Sequence, residues 1–142
     1  MQNGAKTCNE VVVISQNTKS IAARSGISKS KLSIIHLGVE PRTYDTFKIN
    51  TISQEFEKRH SISFKKDRLL FMFGRQVRRK GMAEFIEKGM PLLDPDIKLI
   101  IGGTGIEGRR IEAAIESNDL TDRILLMGSI PEDQLTMLRH RC

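Results

Sequence analysis

The sequence predicts an α/β fold, a mostly parallel sheet with helices on both faces, on three observations. Short apolar runs at residues 11–14, 32–36, 69–73, 97–101 and 124–127 alternate with stretches of helical period. Most of these runs stop at a glycine or serine that leads toward a helix start, the pattern of a strand crossing over to a parallel neighbour. Composition agrees: 39% of residues are apolar and 28% charged, which is a soluble globular balance and not a disordered one. At 142 residues the length favours one compact domain, or parts of two.

In chain order, residues 11–14 are a β-branched run closed by Ser15, and 18–24 have helical potential until Gly26 stops them. Residues 32–36 form a second strand-like run, broken at Gly38, and 39–50 read as a connector around Pro41, Asp45 and Asn50. Over 52–59, Ile52 with Phe56 and Glu55 with Arg59 stand four apart, which supports a short helix. The third strand is 69–73. Residues 80–90 follow as a helix with Met82, Phe85 and Ile86 on one face, and Pro91 bends or ends it. Asp94, Pro95 and Asp96 make a turn into the fourth strand, 97–101. Helix 107–117 buries Ile111, Ala114 and Ile115 along one stripe, and Asn118 and Asp119 end it. After strand 124–127 and Gly128, Ser129 and Glu132 have capping-box spacing with Pro131 in the first turn of a helix reaching Arg139.

Net charge is +6, from 23 Lys plus Arg against 17 Asp plus Glu. That bias fits nucleic acid, an anionic membrane surface or a phosphorylated small molecule. Nucleic acid is disfavoured, because no aromatic residues interleave with the cations to stack bases. Cys8 and Cys142 stand near opposite ends without ligand spacing to any His, so two free thiols in a reducing compartment are expected. The polar first ten residues lack a signal-peptide core, and no apolar run approaches the roughly 20 residues that span a bilayer. The expected location is the cytoplasm, with peripheral membrane contact open to it.

The chemistry concentrates in LLFMFGRQVRRKG, residues 69–81, and KLIIGGTGIEG, residues 98–108. Each is a strand opening through glycine into a loop and a helix start. Such a junction aims backbone N–H groups and the positive helix end at one place. Arg75, Arg78, Arg79 and Lys80 surround the first loop; Gly102, Gly103 and Gly105 form the second. Cations at a helix start are unfavourable against the macrodipole unless an anion binds there. The pair of loops therefore suits a phosphate, and a diphosphate better. GTGIEG, residues 103–108, also matches the dinucleotide fingerprint literally. That reading wants an acid at the end of the next strand, where this chain has Gly128 and Ser129, so a nicotinamide or flavin is disfavoured.

The order F73-G74-R75, R78-R79-K80-G81 and I101-G102-G103-T104-G105 resembles the nucleotide-sugar half of the group 1 glycosyltransferases, a retaining family of the two-Rossmann-domain GT-B fold. Residues 10–15 and 33–40 also resemble the segment before that family's interdomain linker, with Leu37 and Glu40 in place of an Asn and an Asp. The resemblance implies a parallel Rossmann-like sheet within a GT-B architecture. It implies a remnant of the acceptor-side domain over 1–47, a linker over 48–65 and an incomplete nucleotide-sugar domain over 66–142. It further implies that Arg75 and Lys80 act catalytically by stabilising the leaving diphosphate of a UDP-, GDP- or ADP-sugar. Gly74, Gly103, Thr104 and Gly105 would bring backbone to the same phosphates, with no metal ion and no cofactor required. The partners it implies are the donor, a glycan or lipid-linked acceptor, and either self-association or a complementary chain.

Family members carry an E-x7-E element that holds the transferred sugar and the ribose; in this sequence no Glu has another Glu eight positions later. Two functions are therefore expected: a hexosyltransferase fragment inactive by itself, or a non-catalytic diphosphate-binding piece or chain of a split enzyme. A sheet cut at both ends would expose strand edges and apolar surface, so marginal stability or self-association is also expected.

Overall fold

The computed structural model describes residues 3–38 and 45–142. The first residues of the expected connector, 39–44, with Val39 and Glu40 of the pre-linker element, lie outside these. The chain divides into two compact units, Met1–Thr43 and Tyr44–Cys142.

In the first unit a short helix α1 (Asn3–Thr7) precedes strand β1 (Val11–Val13), helix α2 (Gln16–Arg24) and strand β2 (Leu32–Ile34). The sequence gives no periodic signal for α1, which is one five-residue turn without acidic residues. Ser15 starts α2 by accepting the Thr18 N–H at 3.1 Å, satisfying one of the donors a helix start leaves open. The strands pair in parallel, Val11 opposite Leu32 and Val13 opposite Ile34. Val13 and Leu32 are buried, whereas Val12, Ile14 and Ile35 remain exposed.

The second unit is a parallel sheet of β3 (Arg68–Phe73), β4 (Ile97–Gly102) and β5 (Ile124–Gly128), in that spatial order. Helices α4 (Met82–Lys88) and α5 (Gly108–Ser117) connect successive strands and pack on one another. The period of two along β4 sends Leu99 and Ile101 into the same core as Ile86, Met90, Ile111 and Ala114 of this layer. Ile100 enters the opposite core with Met137 and Leu138 of α6 (Glu132–Arg141), and with Ile49 and Phe56 of α3 (Thr46–His60). The predicted parallel sheet with helices on both faces is thus observed.

Three local features differ from the sequence expectation. Residues expected to be a linker over 48–65 are largely α3, begun by Asp45, whose carboxylate accepts the N–H groups of Phe47 at 2.9 Å and Lys48 at 3.2 Å. Its apolar face, Ile49 and Phe56, is part of the core, so tertiary packing lengthens the helix beyond the 52–59 that local spacing supports. Arg78–Lys80 form a separate 3-10 turn, and Gly81 at φ +66° resets the backbone before α4. These cations therefore precede the helix and do not occupy its first turn, which carries Glu84. Finally, Pro131 takes the N-cap position of α6 and no side chain caps it, so the box expected from Ser129 and Glu132 is not formed. With proline at the N-cap, the position whose N–H a box would engage has no N–H to offer.

Candidate functional site

At the carboxyl edge of the second unit, the loops after β3 and β4 are laid on each other through their backbones. Gly74, at φ +141°, donates its N–H to the Gly102 carbonyl at 3.1 Å. Two residues on, the Gln76 N–H reaches the Thr104 carbonyl at 3.0 Å, and the Gln76 carbonyl accepts the Glu107 N–H at 3.1 Å. The sheet ladder thus runs past both strands and into the start of α5. Glycine makes the approach possible. A Cβ at Gly103, which also has φ +106°, would overlap the Gly74 carbonyl, and one at Gly105 would overlap the carbonyl of Gln76. The third strand joins them: Gly103 donates to the Gly128 carbonyl at 2.6 Å, beside a register shift that pairs Gly102 with Gly128.

A cleft of about 580 Å³ opens over this junction. The turn of Gly103, Thr104 and Gly105 with Gln76 forms one side; Arg109 and Glu112 of α5 and the end of β5 form the other. Gln76 is the buried polar residue here, 7% exposed, and its Nε2 donates to the Gly103 carbonyl at 2.8 Å. On the flank, Arg110 joins α5 to α4 through Glu84 at 2.9 Å and Glu87 at 3.4 Å, and pairs with Glu107 at 3.1 Å. Its own backbone N–H and then Arg110 hold the Glu84 carboxyl below the ordinary carboxylate range. The acids at the start of α5 and on α4 are thereby occupied, leaving Arg109 as a cation on the cleft side.

Of the residues singled out from sequence, the structure brings Gly74, Gly103, Thr104 and Gly105 into one backbone assembly. Arg75 leaves that assembly between Gly74 and Gln76 and is exposed. Lys80, also exposed, lines a separate apolar hollow with Leu70, Phe71, Met72 and Phe85 on the β3–α4 side. Lys80 and the glycine turn thus face different hollows rather than a single one. Neither Arg75, Lys80 nor Arg109 has an ion-pair partner among the described residues. Sequence reasoning missed Gln76, Arg109 and Glu112. Arg109 and Glu112 were legible in principle, as they follow Gly105 at helical spacing. Gln76 had no such signal. Among the described residues no three His, Cys, Asp or Glu side chains gather as a metal site, and no helix is long and apolar enough to cross a membrane.

Comparison with known proteins gives the fold its context. No curated protein sequence matches this chain. Among solved structures, HepE (Alr3699) of Anabaena in complex with UDP-glucose superposes with a TM-score of 0.79 at 16% identity, over 97% of this chain and 38% of that one. The same protein with UDP and glucose gives 0.78 at 16% identity, over 97% and 37%. Sucrose-phosphate synthase of Thermosynechococcus elongatus gives 0.72 at 20% identity, over 99% and 35%. The chain therefore spans little more than a third of the length of these GT-B structures and shares the fold of that part. The profile of the family described as glycosyl transferases group 1 matches residues 53–142. That stretch is more than half of the sequence and holds both glycine loops, the cations between them and all of the three-stranded parallel sheet: the chain belongs to the group 1 glycosyl transferases.

Proposed function

We propose that this chain carries the donor-diphosphate part of a retaining glycosyltransferase, which moves a hexose from a UDP-, GDP- or ADP-sugar to a glycan or lipid-linked acceptor. One observation carries the reading. The two loops that the sequence marks as phosphate-binding are bonded into a single backbone surface over a cleft that Arg109 also lines. Family membership and the UDP and UDP-glucose held by HepE support a sugar nucleotide as the anion.

In this reading the bond between the anomeric carbon and the diphosphate oxygen breaks while the acceptor hydroxyl bonds that carbon on the same face and gives its proton to the departing diphosphate. Negative charge grows on the leaving diphosphate. Arg75 supplies a rigid fork for its oxygens and Lys80 a mobile point charge, worth most where water is excluded. The N–H groups of Gly74 and Gly103 are already bonded to the Gly102 and Gly128 carbonyls, so of the four loop residues Thr104 and Gly105 are the ones that would turn their N–H groups to the phosphates. The countercharge comes from the protein, so a metal ion is not required. The carboxylates that hold the transferred sugar and the ribose belong to the E-x7-E element, which this sequence lacks. A second reading is a diphosphate-binding piece, or one that works beside a complementary chain, since the chain spans little more than a third of HepE. Residues 1–47 would then be the acceptor-side remnant. The chain would act in the cytoplasm, and its net charge of +6 would suit an acceptor held at an anionic membrane face.

Calorimetric titration of UDP and GDP into wild type and Lys80→Ala tests the donor site. Wild type is expected to bind one of them, and Lys80→Ala to bind it about tenfold more weakly, the loss of one charged contact. Equal heats from both proteins would reject the assignment. Release of hexose from the donor by the chain alone separates the enzyme from the binding piece.

A further inference from the structure

We propose that Gln76 is a positioning residue that fixes the two glycine loops against each other and so sets Arg75 against the donor diphosphate. The inference rests on the donor reading above and adds a residue that the sequence motifs do not contain.

All the hydrogen bonds that Gln76 makes run from the β3 loop to the loop after β4 or to the start of α5. Its N–H bonds the Thr104 carbonyl, its carbonyl takes the Glu107 N–H, and its side-chain Nε2 holds the Gly103 carbonyl at 2.8 Å. The side chain is nearly closed off from solvent, at 7% exposure, and it is one of the residues lining the cleft. Burying an amide is unfavourable unless its polar atoms are used, so a side chain needed only to fill space here would be apolar. The Nε2 bond controls direction. In a trans peptide the carbonyl and the following N–H point opposite ways, so anchoring the Gly103 oxygen turns the Thr104 N–H away from Gln76. Without the anchor, Gly103 and Gly105 would let this turn take several conformations, as glycines do. The glycines are then needed for Gln76 to fit. Gly105 has no room for a Cβ against the Gln76 carbonyl, and a Cβ at Gly108 would lie 3.2 Å from its Oε1. Arg75 precedes Gln76 directly, so whatever holds the backbone of Gln76 also fixes where the guanidinium departs.

The test compares a diphosphate with a monophosphate on the whole chain. Wild type, Gln76→Leu, Gln76→Glu, Arg75→Ala and the Gln76→Leu/Arg75→Ala double variant are titrated with UDP, or GDP if wild type prefers it, and with the matching monophosphate. Leu keeps the volume and Glu keeps the shape; each loses the Nε2 donor, and either serves if the other fails to fold. The expected result is about tenfold weaker diphosphate binding in the Gln76 variants with less than about twofold change for the monophosphate. Arg75→Ala is expected to weaken diphosphate binding in wild type but to add little in the Gln76→Leu background. Equal losses for both nucleotides, or an Arg75→Ala effect that adds in full, would show packing alone and overturn the proposal. A wild type that binds neither nucleoside diphosphate overturns the donor reading and the positioning role with it. Wild-type binding left unchanged in the Gln76 variants overturns the positioning role alone.

Discussion

His60 is the last residue of α3, where the helix dipole favours a positive charge. Burial nevertheless lowers its pKa from the ordinary 6.5, with the adjacent Arg59 acting in the same direction. Its ring packs on Phe56 at 4.5 Å between centroids, against the core that α3 shares with α6. A folded pKa below the unfolded one means that the unfolded chain binds the proton more tightly. This contribution to stability is therefore complete above pH 6.5 and is lost as pH falls through the folded value. The melting temperature is expected to drop between pH 7.5 and 5.5, and His60→Phe should flatten that drop; thermal scans of both proteins across this range check it. Asp67, whose pKa the Ser63 backbone N–H chiefly lowers from 3.8, contributes with the same sign in a separate, more acid range. At this scale the glycine positions were readable from sequence, because a glycine after an apolar run has few other reasons to be there. Gln76 was not. One polar residue in a loop carries no period, and only coordinates separate a buried strut from a solvated side chain.

The elements of the parallel sheet were legible because each is a short apolar run with a turn residue at its end. Their observed ends differ from expectation by a residue or so, β3 taking in Arg68 and β4 taking in Gly102. Helix α3 was legible only in its middle. Its first half reads T-F-K-I-N-T, where Phe47 is exposed and Ile49 is buried, so apolar spacing alone places the start poorly. What settles it is the Asp45 cap and the docking of Ile49 and Phe56 beside Ile100, Met137 and Leu138. This has a direct consequence for where the second unit can be cut. A chain starting at Asp45 is expected to keep a cooperative thermal transition. One starting at residue 66 loses Ile49 and Phe56, uncovers one face of the sheet, and should melt without cooperativity, because losing a single large core side chain already costs about 3 to 5 kcal/mol. Circular dichroism melts of the two truncations decide the point.

Over the whole molecule, apolar side chains stay open on both units. Val12, Ile14, Ile35 and Leu37 in the first, and Phe47, Leu92 and Ile106 in the second, are each more than half exposed. Among the described residues, the first unit has one parallel strand pair and buries the apolar side chains of Val13 and Leu32 alone, which is too little for independent stability. Sedimentation equilibrium is expected to show association that rises with concentration, whereas a monomer across the micromolar range with a sharp, concentration-independent melt would contradict this. The sequence reading sets residues 48–65 apart as a linker, and the structure packs α3 of that stretch into the core of the second unit. Resemblance reports the order of motifs along the chain, whereas the boundary is set by which core a helix buries into. The glycine-terminated strands β3, β4 and β5 leave one more implication. A rim made of peptide groups is indifferent to which side chains decorate the surrounding helices, provided nothing but hydrogen occupies the Cα positions where backbones touch. Such a surface should tolerate drift in the side chains around it, which is in keeping with a fold shared with HepE at 16% identity.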